Sequence, residues 1–293
     1  MMKITVIPDI PFGNTVSITN EIIAVFAHSN VQILLPESVQ DYIEANETVR
    51  FVKLEDALSL CDIVIVVGGD GTVTKYASAA AKHKKPVLGI NGGHLGFLSG
   101  LEKTEIPLLL HLLDGKYKLK SRMLLQADVY DAEDTLISSA LCVNDAIIGR
   151  GTSLRMVDVS VELDGKLLAR HRADGVIIAT PTGSTAYSMS AGGPVVDPHM
   201  ECIIVTPVCS HSLTARSVVC ASTSTLVLKN TSDTHNIRHI CLTTDSNAPI
   251  SVPYGGKVVI KKADIPVQFI TIKRQSFYEI LQEKMVERNI TGG

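Results

Sequence analysis

Apolar and polar positions alternate between two textures along this chain. In the first ~100 residues, strand-like and helix-like segments take turns. "KITVIP" (3–8), "VQILLP" (31–36) and "PVLGIN" (86–91) read as strands, and "DIVIVV" (62–67) is a continuous β-branched run suited to a strand covered on both faces. Between them, "NEIIAVFAHS" (20–29), "LEDALSLC" (54–61) and the alanine-rich "VTKYASAAAKH" (73–83) carry helical spacing. This alternation predicts a parallel sheet with helices on its faces. "IPLLLHLLDGKY" (106–117) reads as a short bridging helix. From 120 to about 272, strand-like runs follow one another, split by turn signals, with "LDGK" (163–166) as an Asp-Gly hairpin turn. The tail "SFYEILQEKMVER" (276–288) returns to helical periodicity and is expected to pack back on the first part. The reading is α/β plus all-β. A Rossmann-like parallel-sheet domain covers 1–100, a β-sandwich domain covers 101–274, and the closing helix runs over about 275–288.

Composition narrows the classes. Hydrophobic residues make up 45% of the 293 and charged residues 19%, enough for a sizeable core. A formal net charge of −3 gives no global drive toward nucleic acid or an anionic membrane. The basic run "KHKK" (82–85) reads as a solvated helix end. "MMKITVIPDIPFG" does not have the form of a signal peptide, and no apolar run approaches the ~20 residues a bilayer span needs. A soluble, cytoplasmic protein is expected. The six cysteines form no Cys-x-x-Cys pair, and most sit in apolar runs. They are expected to be small buried hydrophobes in a reducing compartment. No residue is assigned as a metal ligand.

The candidate chemistry begins at "GGDGTVTK" (68–75), directly after the apolar strand. Ligands of α/β sheets bind at the carboxyl ends of strands. Gly68, Gly69 and Gly71 leave room for a ligand against the main chain, and the next helix start favours phosphate. The stretch is neither G-x-x-x-x-G-K-[ST] nor G-x-G-x-x-G, since position 74 is threonine. Asp70 is the odd member, because a carboxylate repels phosphate. It either accepts a proton from an attacking hydroxyl, binds a metal that screens phosphates, or caps the following helix.

Three further stretches carry polar groups. "GINGGHLGFL" (89–98) supplies a second glycine-rich loop after the next strand. "VNDAIIG" (143–149) sets Asn144 beside Asp145, a carboxamide–carboxylate pair suited to a ribose diol, though such pairs also mark strand ends. "RHRADGVIIATPTGSTAYSMSAGGP" (170–194) follows an apolar strand with small hydroxyl residues that let a flat ring approach, and Tyr187 could stack on a base.

These stretches resemble the NAD kinases. "GGDGT" is shared with diacylglycerol and sphingosine kinases and, in a close variant, phosphofructokinases. "TPTGSTAY" is not expected in those families. The likeness extends from about 62 to 285 in the family's order, with Asn91, Gly92, Gly96, Phe97 and Leu98 in register. It implies transfer of the γ-phosphoryl of ATP to the 2′-hydroxyl of the adenosine ribose of NAD, with Asp70 as proton acceptor and Mg²⁺ bridging donor oxygens. A carboxylate is a weak base, which suffices for a dissociative transfer. The resemblance assigns to nucleotide binding Asp70, Gly71, Lys75, Asn144, Asp145, Arg155, Arg172, Asp174, Thr182, Thr185, Ala186, Tyr187, Ser188, Met189, Ser190, Cys209 and Asn247. Lys75, often arginine in relatives, reads equally as a solvent-facing helix residue. "TPVCSHSLTARSVV" (206–219) brings Cys209, His211, Leu213 and Arg216 into register, with Ser210 and Ser217 in place of two prolines. In "TTDSNAP" (243–249), Asp245 matches the family's Asp-Gly-Gln, while Asn247 offers a shorter reach than glutamine. The family implies a homodimer or homotetramer, with the site between the two domains. Polyphosphate as donor, NADH as acceptor and feedback by NADPH stay open. The competing readings are a lipid or sugar kinase built on the same turn, and a dinucleotide sensor without turnover.

Overall fold

The computed structural model describes residues 1–11, 13–44, 46–92, 96–151, 156–231, 239–245, 247–273 and 276–291, with 239 and 285–291 described by backbone alone. The chain forms two compact units, one of residues 1–121 with 267–293 and one of residues 122–266. Both boundaries differ from the sequence reading. Residues 101–121 and 267–274 fall in the first unit because the strands Lys118–Arg122 and Val267–Thr271 extend its sheet. The segment read as a bridging helix is a 3₁₀ helix, Lys103–Leu112.

The first unit is a parallel sheet. Strands β1 (Met2–Pro8), β2 (Val31–Pro36), β3 (Val49–Val52), β4 (Ile63–Val67) and β5 (Val87–Asn91) run in the order β3-β2-β1-β4-β5. All five residues of β4 are buried, as its unbroken β-branched run requires when helices cover both faces. Helices α1 (Thr15–Phe26), α2 (Leu54–Leu60) and α3 (Asp70–Lys82) are the crossovers. Ile18, Ile22 and Phe26, spaced by four, seal α1 onto Ile4, Val6 and Ile65. The strand order reverses between β1 and β4, the point where such sheets open a crevice at their carboxyl ends. The closing helix, Phe277–Thr291, belongs to this unit and sets Phe277 6.0 Å from Phe97, ring to ring.

The second unit is a sandwich of two antiparallel six-stranded sheets. Gly175–Ala179 and Asp145–Gly149 are central in one sheet, and Val157–Leu163 and Leu226–Asn230 are interior in the other. Val176, Ile178 and Ile148 meet Val129, Leu228 and Ile260 in the core. Strand Gly175–Ala179 is buried on its other face too, where Ile177 and Ala179 pack with Val196, Cys202 and Ile204. This second layer explains its continuous apolar sequence. The Asp-Gly hairpin forms as read, with Asp164 and Gly165 at φ 50° and 77° between paired Leu163 and Lys166.

Candidate functional site

Each unit builds a polar centre from its own residues. In the first, the GGDGT turn leaves β4 at the switch point. Gly69 is the extended N-cap of α3, and no side chain caps that helix. Asp70 therefore does not play the capping role open to it. Its carboxylate turns to the other glycine loop and accepts N–H bonds from Phe97 (2.7 Å) and Leu98 (3.1 Å). A carboxylate offers about four lone-pair directions, so these two bonds orient Asp70 and leave it able to accept more. Gly96 makes this approach possible, because a Cβ there would overlap Asp70 Oδ1. The turn is tied across the switch point by Thr72, whose hydroxyl donates to Asp9 at the end of β1. Asp9 N–H donates in turn to Val67 (3.0 Å). Gly71 faces open space, and the first N–H groups of α3 precede any intrahelical partner. Lys75 is exposed, with Nζ 5.3 Å from the Tyr76 ring centre.

In the second unit, the segment after strand Gly175–Ala179 divides by burial. Thr182, Gly183, Ser184 and Ser188 face inward. Ser184 Oγ lies 3.2 Å from the Val196 carbonyl and accepts the Val196 N–H, and Ser188 Oγ lies 3.2 Å from Thr206 Oγ1. These hydroxyls seat the segment on the sheet. Thr185, Ala186, Tyr187, Met189 and Ser190 keep exposed surface.

Beside this segment lies the turn carrying Asn144 and Asp145. Asp145 is 4% exposed, and burial with the neighbouring Asp245 charge pushes its carboxyl up to about 7. Burial raises Asp245 as well, to about 6, against three backbone N–H donors that lower it. Close by, Ile147, Gly149, Arg150, Gly151, Asp174, Tyr187, Cys241 and Thr243 are among the residues lining a cavity of ≈ 250 Å³. Arg150 reaches Asp174 at 3.3 Å there. Arg172 is exposed on the strand Lys166–Ala173, and its carbonyl accepts the His211 N–H (2.8 Å). Asn247 is half-buried, with its N–H on the Thr244 carbonyl (2.8 Å). Arg155 lies outside the described residues.

The ATP-NAD kinase N-terminal domain model matches residues 17–117, and the ATP-NAD kinase C-terminal domain model matches 143–272. An NAD kinase of Caldanaerobacter subterraneus is 34% identical over 289 residues, covering 98% of this chain and 100% of the relative. One from Symbiobacterium thermophilum is 39% identical over 225 residues, covering 76% and 78%. The chain belongs to the ATP-NAD kinase family. Among solved structures, yeast NADH kinase complexed with NADH shares the fold at TM-score 0.87 and 23% identity, covering 97% of this chain and 87% of the other.

Within this family member, sequence reasoning missed several groups. Asp9 follows β1 directly, and a carboxylate at the carboxyl end of a strand was the available signal. Arg150 and Cys241 join the cavity only because Asp145–Gly149 pairs with His239–Thr244. Four cysteines are buried as expected, but Cys209 is exposed at φ 46° and Cys241 keeps surface on the cavity.

Proposed function

We propose that this chain transfers the γ-phosphoryl group of ATP to the 2′-hydroxyl of the adenosine ribose of NAD, giving NADP and ADP. The observation that carries the reading is Asp70, an oriented carboxylate in a glycine turn at the switch point of a parallel sheet. The new bond joins the ribose 2′-oxygen to phosphorus, the bond to the ADP oxygen breaks, and Asp70 takes the hydroxyl proton. Its two N–H bonds fix the direction of its remaining lone pairs, so orientation contributes most of what it supplies. The amides at the start of α3, beside Gly71, favour the donor phosphates. Asn144 and Asp145 suit the ribose diol. The exposed Tyr187, with Thr185, Ala186, Met189 and Ser190, takes the rings, and Asp174 and Arg172 assist there. Lys75, Arg155, Thr182, Ser188, Cys209 and Asn247 are the remaining members of the assigned set, with Thr182 and Ser188 acting from buried positions.

Mg²⁺ belongs to the donor and arrives on the phosphates of ATP. No side chain is assigned to it in this reading; among the described residues no group of three or more His, Cys, Asp or Glu side chains lies together as a possible metal site. The reading places the reaction in the cytoplasm. No helix among the described residues is long and apolar enough to cross a membrane. A homodimer or homotetramer completes the reading.

Incubation with NAD, MgATP and, in parallel, polyphosphate tests the donor and the product. Absence of NADP with either donor sinks the reading. Because the Asp70 carboxylate also anchors residues 97–98, Asp70→Asn separates its roles. A turnover loss of about a hundredfold or more with NAD affinity retained marks a proton acceptor. Equal loss of both marks an anchor alone.

A further inference from the structure

We propose that Asp245 and Thr180 are positioning residues that fix the Asn144–Asp145 pair by bracketing its backbone, an inference that rests on the ribose role given to that pair. Asp245 stands 100 residues from Asp145 in sequence, yet its carboxylate gathers three consecutive N–H groups. Oδ2 accepts from Val143 (2.6 Å), and Oδ1 accepts from Asn144 (2.8 Å) and Asp145 (3.2 Å). The Asp245 N–H donates to the Asp145 carbonyl at 3.2 Å. Asp245 adopts φ 45°, a left-handed conformation that aspartate and asparagine tolerate better than most residues.

Thr180 holds the carbonyls of the same turn. It is fully buried, its hydroxyl donates to the Val143 carbonyl (2.6 Å), and its N–H donates to the Asn144 carbonyl (2.9 Å). The Thr180 hydroxyl also accepts the Gly183 N–H at 3.0 Å, which closes the bracket onto the segment that follows. Gly183 lies against the Asn144 carbonyl so closely that a Cβ would overlap it. Backbone groups on both edges of residues 143–145 are thus met by fixed partners. An ionised acceptor on three amides makes charge-assisted bonds, stronger than neutral ones. Side chains on a backbone held this way meet a ribose without ordering the turn first, so the benefit falls on acceptor binding.

Asp245→Asn is the sharp probe. It keeps shape and tolerance of positive φ, keeps one oxygen for Asn144 and Asp145, and turns an NH₂ toward the Val143 N–H. Thr180→Val is the second, removing one hydroxyl at nearly constant volume. Steady-state kinetics are measured with NAD and MgATP varied separately, with calorimetric NAD titration and thermal melts alongside. For both variants the expected result is a rise in KM and Kd for NAD of about tenfold or more, with KM for ATP within about twofold. A role confined to stability would lower the melting temperature and leave this split unmoved. An unchanged KM for NAD in either folded variant overturns the proposal, as does an equal change for both substrates. If Asp245→Asn does not fold, Thr180→Val decides alone. If wild type binds NAD without forming NADP, the transfer reading fails, and the NAD Kd values still test the bracket.

Discussion

Replacing Asp145 by asparagine removes a buried charge whose cost depends on pH. Asp145 is 4% exposed, and its carboxyl titrates at about 7 instead of the ordinary 3.8, through burial first and the Asp245 charge second. In the unfolded chain the group ionises near its ordinary value. Between about pH 4 and pH 7 the folded state therefore holds one proton that the unfolded state has lost. Stability then falls as pH rises, by about 1.4 kcal/mol per pH unit for one proton, and the loss is complete above the folded value. The interval from 3.8 to about 7 corresponds to a penalty on the order of 4 kcal/mol at pH 8. Asparagine cannot ionise and escapes it. Asp145→Asn should match wild type in stability near pH 4 and exceed it by about 2–4 kcal/mol at pH 8. Urea denaturation at pH 5 and pH 8, with equal slopes for both proteins, measures this. Asp245 is present in both proteins, so the comparison isolates Asp145 and its coupling to Asp245. A stability difference that stays flat between the two pH values refutes the reasoning, as does a less stable variant at pH 8. Activity should move the other way, since the charge that destabilises the fold is the one assigned to the ribose.

Two glycines test the same centres sterically. Gly96→Ala places a methyl group on Asp70 Oδ1, so NADP formation should fall about tenfold or more while NAD affinity holds in a binding titration. Gly183→Ala drives a methyl group into the Asn144 carbonyl, and the turn must shift. It should raise KM for NAD about tenfold and lower the melting temperature, a pairing that kinetics and melts read together.

Local pattern determined much of this protein. The unbroken β-branched run at 63–67 read as a strand covered on both faces, which it is, and the glycines after it read as a tight turn with room for a ligand. The alternation up to residue 100 specified parallel crossovers, because helices between strands return the chain to the same edge direction. The turn and hydroxyl motifs were equally legible, being contiguous. The strands Lys118–Arg122 and Val267–Thr271 carry no mark of which sheet they join, since pairing is a long-range choice, and the domain boundaries moved with them.

The direction of a side chain is a tertiary matter as well. Asp70 could cap α3 or face the neighbouring loop, and only the approach of Gly96 to it decides for the loop. Asp245 stood in sequence as an isolated match beside a broken motif. Strand pairing from Gly149 to Cys241 carries it to the Asn144–Asp145 turn, where burial raises its cost and three N–H groups hold it. Sequence determined which chemical groups the chain carries, and packing decided which of them face one another.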